Sequence, residues 1–92
     1  MSIFMSYSRQ DEQVVKHLVR GLAVTGNPVW FDLDLTGGDR WWDKILDHIR
    51  VCTVFVFGLS DDSLHSKACM AEFRYAAALG KPIVPVQVGP VE

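Results

Sequence analysis

Apolar residues fall into short continuous runs, separated by stretches in which they recur every three or four positions. Runs of the first kind read as buried strands and stretches of the second kind as amphipathic helices. Ile3-Phe4-Met5-Ser6-Tyr7 predicts strand one. Ser8-Arg9-Gln10-Asp11 has the Ser/Thr-x-x-Asp/Glu pattern of a helix start. Val14, Val15, Leu18, Val19, Leu22 and Ala23 then form a helical stripe, with Lys16, His17 and Arg20 outside it. Thr25-Gly26-Asn27-Pro28 ends that helix, because Gly tolerates the left-handed cap and Pro cannot continue the ladder. Val29-Trp30-Phe31-Asp32 predicts strand two, and Leu33 to Gly38 a loop in which Gly37-Gly38 supplies backbone freedom. Asp39 is placed to cap a second helix with the stripe Trp42, Ile45, Leu46 and Ile49. Thr53 to Leu59 is nearly all apolar, as suits a central parallel strand covered on both faces. Ser60-Asp61-Asp62-Ser63 offers N-caps for a third helix, which Gly80-Lys81-Pro82 stops. Ile83 to Val88 predicts strand four; Pro85 cannot donate to a ladder, so this strand belongs at an edge or carries a bulge.

This β-α-β-α-β-α-β alternation implies right-handed crossovers and an α/β fold, a parallel sheet with helices on both faces. A flavodoxin-like strand order, 2-1-3-4, is expected. Its crevice opens between the carboxyl ends of strands one and three, where the winding reverses. Those ends carry Tyr7-Ser8-Arg9 and Leu59-Ser60-Asp61. Glu72 lies on the helix that follows strand three, on a face shared with Ala68, Cys69 and Ala76. A carboxylate on so small and apolar a face has two readings. It either stabilises a sugar oxocarbenium ion, or acts as acid or base, beside a wall that raises its pKa. Or it is a solvated border residue, the common fate of helical Glu.

The chain's 92 residues make one domain, of globular composition, 49% hydrophobic and 22% charged. A chain this size buries about 60–65% of its unfolded surface, so the core is modest. A net charge of -2 and a pI of about 5.8 argue against nucleic-acid binding. No run approaches the roughly 18 to 20 apolar residues of a membrane span. The start, Met1 to Ser6, lacks the basic residues and long apolar stretch of a signal peptide, so a cytoplasmic protein is expected. Cys52 and Cys69 lack metal-ligand spacing and are expected as buried free thiols. His17, His48 and His65 fall one per helix, which predicts solvated side chains and no metal site. Ser60, Ser63 and Ser66 have no His and Asp partners at triad spacing, and Ser63 is better placed as a cap. Gly37-Gly38 before a helix N-terminus could hold a phosphate, yet lacks the Gly-Lys-Ser/Thr ending of a P-loop and equally fits a plain connection. Trp30 fits a buried strand position. Trp41 and Trp42 point about 100° apart on one helix, so one is left to stack on a flat ring or to anchor an interface. A phospho-acceptor receiver domain is excluded, because strand three ends in Leu59-Ser60 rather than a nucleophilic Asp. A flavodoxin is excluded because Arg9-Gln10-Asp11 does not supply its phosphate loop.

Taken in order, these segments resemble the Toll/interleukin-1 receptor (TIR) domains of the bacterial type. Phe4 to Asp11 is similar to the family's first motif. Val29 to Asp32 and Leu35 to Trp41 are similar to its second strand and "BB" loop, and Trp41, Ile45 and Ile49 to the helix that follows. Ser63 to Glu72, with Ser66-x-x-Cys69-x-x-Glu72, resembles the stretch carrying the family's catalytic glutamate, and Gly80 to Val86 its fourth strand. The resemblance spans about Ile3 to Val88. It implies cleavage of the nicotinamide–ribose bond of NAD⁺, giving nicotinamide and ADP-ribose or a cyclic form, in signalling or immune defence by a self-assembled domain. NAD⁺ would be the substrate, with no cofactor and no metal. Glu72 would stabilise the ribosyl cation; Tyr7, Ser8 and Arg9 would line the nucleotide pocket, and Asp32 and Trp41 would close it. The alternative it implies is a non-catalytic adaptor acting through contact with itself or other TIR domains. Two departures stand out. Where the family often has Trp just before the Cys, this chain has Ala68. The family also continues into a fifth strand and last helix, so residues 1–92 are expected as a domain lacking both, with strand four an unprotected edge.

Overall fold

The computed structural model describes the backbone of residues 2–31 and 39–92 and the side chains of 2–31 and 42–92. Its order is β1 (Ile3–Ser6), α1 (Glu12–Val24), β2 (Val29–Phe31), α2 (Asp39–Val51), β3 (Val54–Leu59), α3 (Asp61–Leu64), α4 (Lys67–Ala78) and β4 (Ile83–Gln87). A single 3-10 turn, Arg9–Asp11, leads into α1. The four strands form one sheet in the order β2-β1-β3-β4. Every pairing is parallel, with Phe4 opposite Trp30 and Phe55, and Phe57 opposite Pro85. The expected flavodoxin-like order is therefore correct, and Pro85 does sit in an edge strand.

Strand side chains alternate between two faces, and each face builds its own core. Phe4, Phe55 and Phe57 meet Ile45, Ile49 and Cys52 around α2 and Cys69 and Ala76 of α4. Ile3, Met5, Tyr7 and Val56 meet Val15 and Val19 of α1, together with Val88. The α2 stripe performs as its spacing predicts, with Ile45 and Ile49 buried and Trp42 packed against the core. In α1 only Val15 and Val19 are buried; Val14 is 50% exposed, because it lies about 100° round the helix from Val15. Gly26 and Gly80 hold φ of 84° and 72° just past α1 and α4, the left-handed caps anticipated from sequence. Lys81 closes the far end of α2, donating from Nζ to the carbonyls of Arg50 and Cys52 at 2.7 Å each.

The expected third helix is two helices. Ser60 caps α3 in a reciprocal box: Ser63 N–H donates to Ser60 Oγ at 3.1 Å, and Ser60 N–H to Ser63 Oγ at 2.9 Å. Ser66 caps α4, accepting from Cys69 N–H at 3.2 Å. Two competing caps six residues apart stop the first helix after one turn. Ser63 is thus the reciprocating partner rather than the cap itself. Among the described residues no helix is long and apolar enough to cross a membrane, and no group of side chains could hold a metal ion.

Candidate active site

All five buried polar or charged side chains among the described residues, Ser6, Asp11, Ser60, Ser63 and Glu72, belong to the segments at the carboxyl ends of β1 and β3 or to the helices that follow. Desolvating polar groups is costly without partners, and their concentration at one end of the sheet makes that end the candidate site. Glu72 is only 8% exposed. Ser6, the last residue of β1, donates its hydroxyl to Glu72 Oε1 at 2.7 Å. The solvated-border reading of Glu72 therefore fails, because the helix face that carries it turns inward over β1.

Cys69 lies one turn before Glu72 on α4 and is buried. Burial pushes its thiol up; the Ser66 and Ser6 hydroxyls oppose this, while the charges of Glu72 and Asp11 push it further up. This thiol lies within the influence of both carboxylates, and it is a neutral, unreactive wall rather than a nucleophile.

Asp11 is 7% exposed. It does not reciprocate the Ser8 cap as the Ser-x-x-Asp spacing predicts. Its carboxylate turns inward and accepts a short hydrogen bond from Ser60 Oγ. The segment after β4 closes over this pair: a Cβ on Gly89 would sit 2.7 Å from Asp11 Oδ1 and 3.0 Å from Ser60 Cβ. A side chain at that contact would require the Asp11 carboxylate or the segment itself to shift.

The other expected site residues fall as follows. Ser8 is half-buried and caps the 3-10 turn, accepting from Gln10 N–H at 3.4 Å. Arg9 is exposed on that turn, beside the crevice mouth. Tyr7 is buried at 7%, its ring packed 6.2 Å from that of Phe31 on the α1 face of the sheet, opposite the face that carries Ser6. Asp32 lies outside the described residues, as does the side chain of Trp41. Ala68 is exposed. Sequence reasoning missed Ser6, Asp11 and Ser60 as members of the site. The available signal was Ser6 itself, a polar residue ending an otherwise apolar strand.

A cavity of about 240 Å³ opens at the other end of the sheet, lined by Ile3, Val29, Trp30, His48, Val51 and Cys52 among others. It has no carboxylate. Trp30 and His48 stack there with ring centroids 4.1 Å apart, so His48 is not the solvated histidine expected. The chemistry-bearing residues and this apolar cavity are at opposite ends of the strands.

A family profile described as "TIR domain" matches residues 3–92. The chain belongs to the TIR-domain family. No curated protein matches it. Its fold is similar to the TIR domain of the Toll-related receptor TRR-2 from Hydra magnipapillata, at 20% identity and a TM-score of 0.81, over 98% of this chain and 72% of that one. It is also similar to the CMP N-glycosidase BcmB of Clostridium botulinum, at 21% identity and a TM-score of 0.77, over 92% of this chain and 70% of that one. At such identities the likeness concerns the fold. Within this TIR fold, Ser6 ends β1 at the carboxyl edge of the sheet and Glu72 of α4 is bonded to it.

Proposed function

We propose that this TIR domain is a nucleotide N-glycosidase that cleaves the nicotinamide–ribose bond of NAD⁺. The observation that carries the reading is Glu72, a carboxylate buried at the crevice and held by the Ser6 hydroxyl at 2.7 Å. A fixed negative charge in a dry site stabilises a developing cation without reorganising. In the reaction, the bond between ribose C1′ and the pyridinium nitrogen breaks, and its electron pair neutralises the nicotinamide ring. The positive charge passes to C1′ and the ring oxygen, as in other glycosyl cleavages. Glu72 stabilises that cation. Water adds at C1′, and its proton leaves through Glu72 to solvent. The leaving group departs neutral, which removes the need for a second carboxylic acid. Exposed Arg9 on the turn after β1 is suited to a phosphate oxygen. The N-glycosidase named among the fold neighbours supports the reaction class, since a CMP N-glycosidase cleaves the same kind of bond.

The test is base release by the purified domain, with NAD⁺ and CMP as separate substrates. Wild type is expected to release nicotinamide. Glu72→Gln keeps the shape and an acceptor for Ser6 but loses the charge, and is expected to lower kcat at least about a hundredfold. Equal release by wild type and Glu72→Gln removes the proposal. Cytosine release without nicotinamide release would keep the reaction and change the substrate.

One observation favours a second reading, an adaptor acting through TIR–TIR contact. The outer edge of β4 is unpaired among the described residues, with Val84 45% exposed. Self-association that persists without base release from either nucleotide would favour it.

A further inference from the structure

We infer that Asp11, Ser60 and Gly89 form a latch that positions the Ser8–Asp11 turn for the nucleotide; this role rests on the glycosidase reading above. Asp11 is a positioning residue, not a catalytic one. The turn that carries Ser8 and Arg9 is short, with Arg9 and Gln10 exposed, and its own bonds are few: Asp11 N–H to Ser8 O at 2.9 Å, Glu12 N–H to Arg9 O, and Gln10 N–H to Ser8 Oγ at 3.4 Å. Bonds of that kind open readily in water. What fixes the turn to the sheet is the Asp11 side chain, buried and bonded to Ser60 at the end of β3. Ser60 is itself immobile, because its hydroxyl also accepts from Ser63 N–H at 3.1 Å.

The third wall is the segment after β4. Val88 N–H donates to Leu59 O at 2.9 Å, and Asp61 N–H to Pro90 O at 2.8 Å, so residues 88–90 are clipped to the β3–α3 junction from both sides. That clip presses Gly89 against the Asp11 carboxylate. Its backbone is not in the left-handed region, so alanine is opposed there only by the contact with Asp11 and Ser60, and accommodating it means displacing the Asp11 carboxylate or the segment. Three segments distant in sequence thus converge on one carboxylate whose backbone neighbours carry the phosphate-facing residues. Glu72 is held separately, by Ser6. Releasing the latch therefore loosens nucleotide binding and leaves the reacting centre in place.

The experiment compares wild type, Asp11→Ala, Asp11→Asn and Gly89→Ala by steady-state kinetics on NAD⁺ and by amide hydrogen exchange of the ligand-free proteins. Asp11→Ala and Gly89→Ala are expected to raise KM at least tenfold while kcat falls less than threefold. Asp11→Asn keeps an acceptor for Ser60 and is expected to recover most of the loss. Exchange at Gln10 and Asp11 is expected to accelerate in Asp11→Ala and Gly89→Ala, with amides of α4 unchanged, which separates latch release from unfolding. An unchanged exchange rate at Asp11 overturns the latch, as does a fall in kcat with KM intact. If wild type releases no base from any nucleotide while the exchange pattern is as expected, the latch stands as a constraint on the turn and the glycosidase reading falls instead.

Discussion

Ser6 and Glu72 are 66 positions apart and share a buried hydrogen bond. A hydrogen bond to a charged group contributes about 1.5–3 kcal/mol, and leaving one partner buried and unsatisfied costs a similar amount. Ser6→Ala is therefore expected to lower stability by about 2 kcal/mol and to reduce kcat for base release by about tenfold, because the carboxylate gains rotational freedom. Chemical denaturation and kinetics on the same preparation check this. Wild-type kcat in Ser6→Ala would mean that Glu72 is oriented by other contacts. At this scale the sequence was legible in one direction only. The irregularity of Glu72 on a small apolar face is visible from spacing alone. Its partner is not, since nothing local distinguishes a strand-ending Ser that bonds a helix from one that bonds water. Asp11 is legible in part for the same reason: its spacing from Ser8 marks the helix start correctly, while the tertiary partner of its carboxylate, Ser60, has no local signal.

Elements are positioned by what the strands lack as much as by what they carry. Gly58, one residue before the end of β3, lies so near β1 that a Cβ there would stand 2.9 Å from the Ser6 carbonyl and 3.1 Å from Met5 Cε. The backbone oxygen cannot yield without moving the end of β1, the strand end that presents Ser6 to Glu72. Gly58→Ala is expected to destabilise the domain by about 1–3 kcal/mol, the usual cost of overpacking. It should also weaken base release beyond its effect on fold, as Glu72 loses its register with Ser6. A thermal melt with activity assayed well below the midpoint separates the two. Unchanged stability would show that the sheet absorbs the methyl elsewhere. β1, β3 and α2 were readable from periodicity because most of their apolar positions are ones the fold buries, whereas α1 and β4 leave Val14 and Val84 exposed. The break between α3 and α4 was not, because Ser60, Ser63 and Ser66 all suit an N-cap, and only the geometry of the β3 exit assigns them. Tyr7 shows the limit of carrying a motif to a residue: its neighbours Ser6 and Ser8 face the crevice side and the turn, while alternation sends its ring into the α1 core.

For the whole molecule, buried imidazole and thiol groups set opposite limits of pH stability. His48, stacked on Trp30 at the amino end, is held below the ordinary imidazole value of 6.5, first by burial and then by Lys44, with Asp47 opposing. Cys52, beside the same cavity, and Cys69, beside Glu72, are held above the ordinary thiol value of 9.0, chiefly by burial. The signs follow from proton binding. The unfolded chain protonates His48 first, so this contribution is complete above pH 6.5 and fades as pH falls towards the lower folded value. The unfolded chain ionises the thiols first, so their contribution is complete below pH 9.0 and fades as pH rises towards the higher folded values. Melting temperature is thus expected to decline on both sides of a neutral plateau. His48→Phe keeps a ring to stack on Trp30 without a titrating group, and is expected to flatten the acid decline while leaving the alkaline one. Cys52→Ala with Cys69→Ala is expected to do the reverse, from a lower plateau because two buried side chains are truncated. Thermal melts of the three proteins across the range check both. An acid decline in His48→Phe as steep as in wild type would show that the ring stacked on Trp30 does not set that limb.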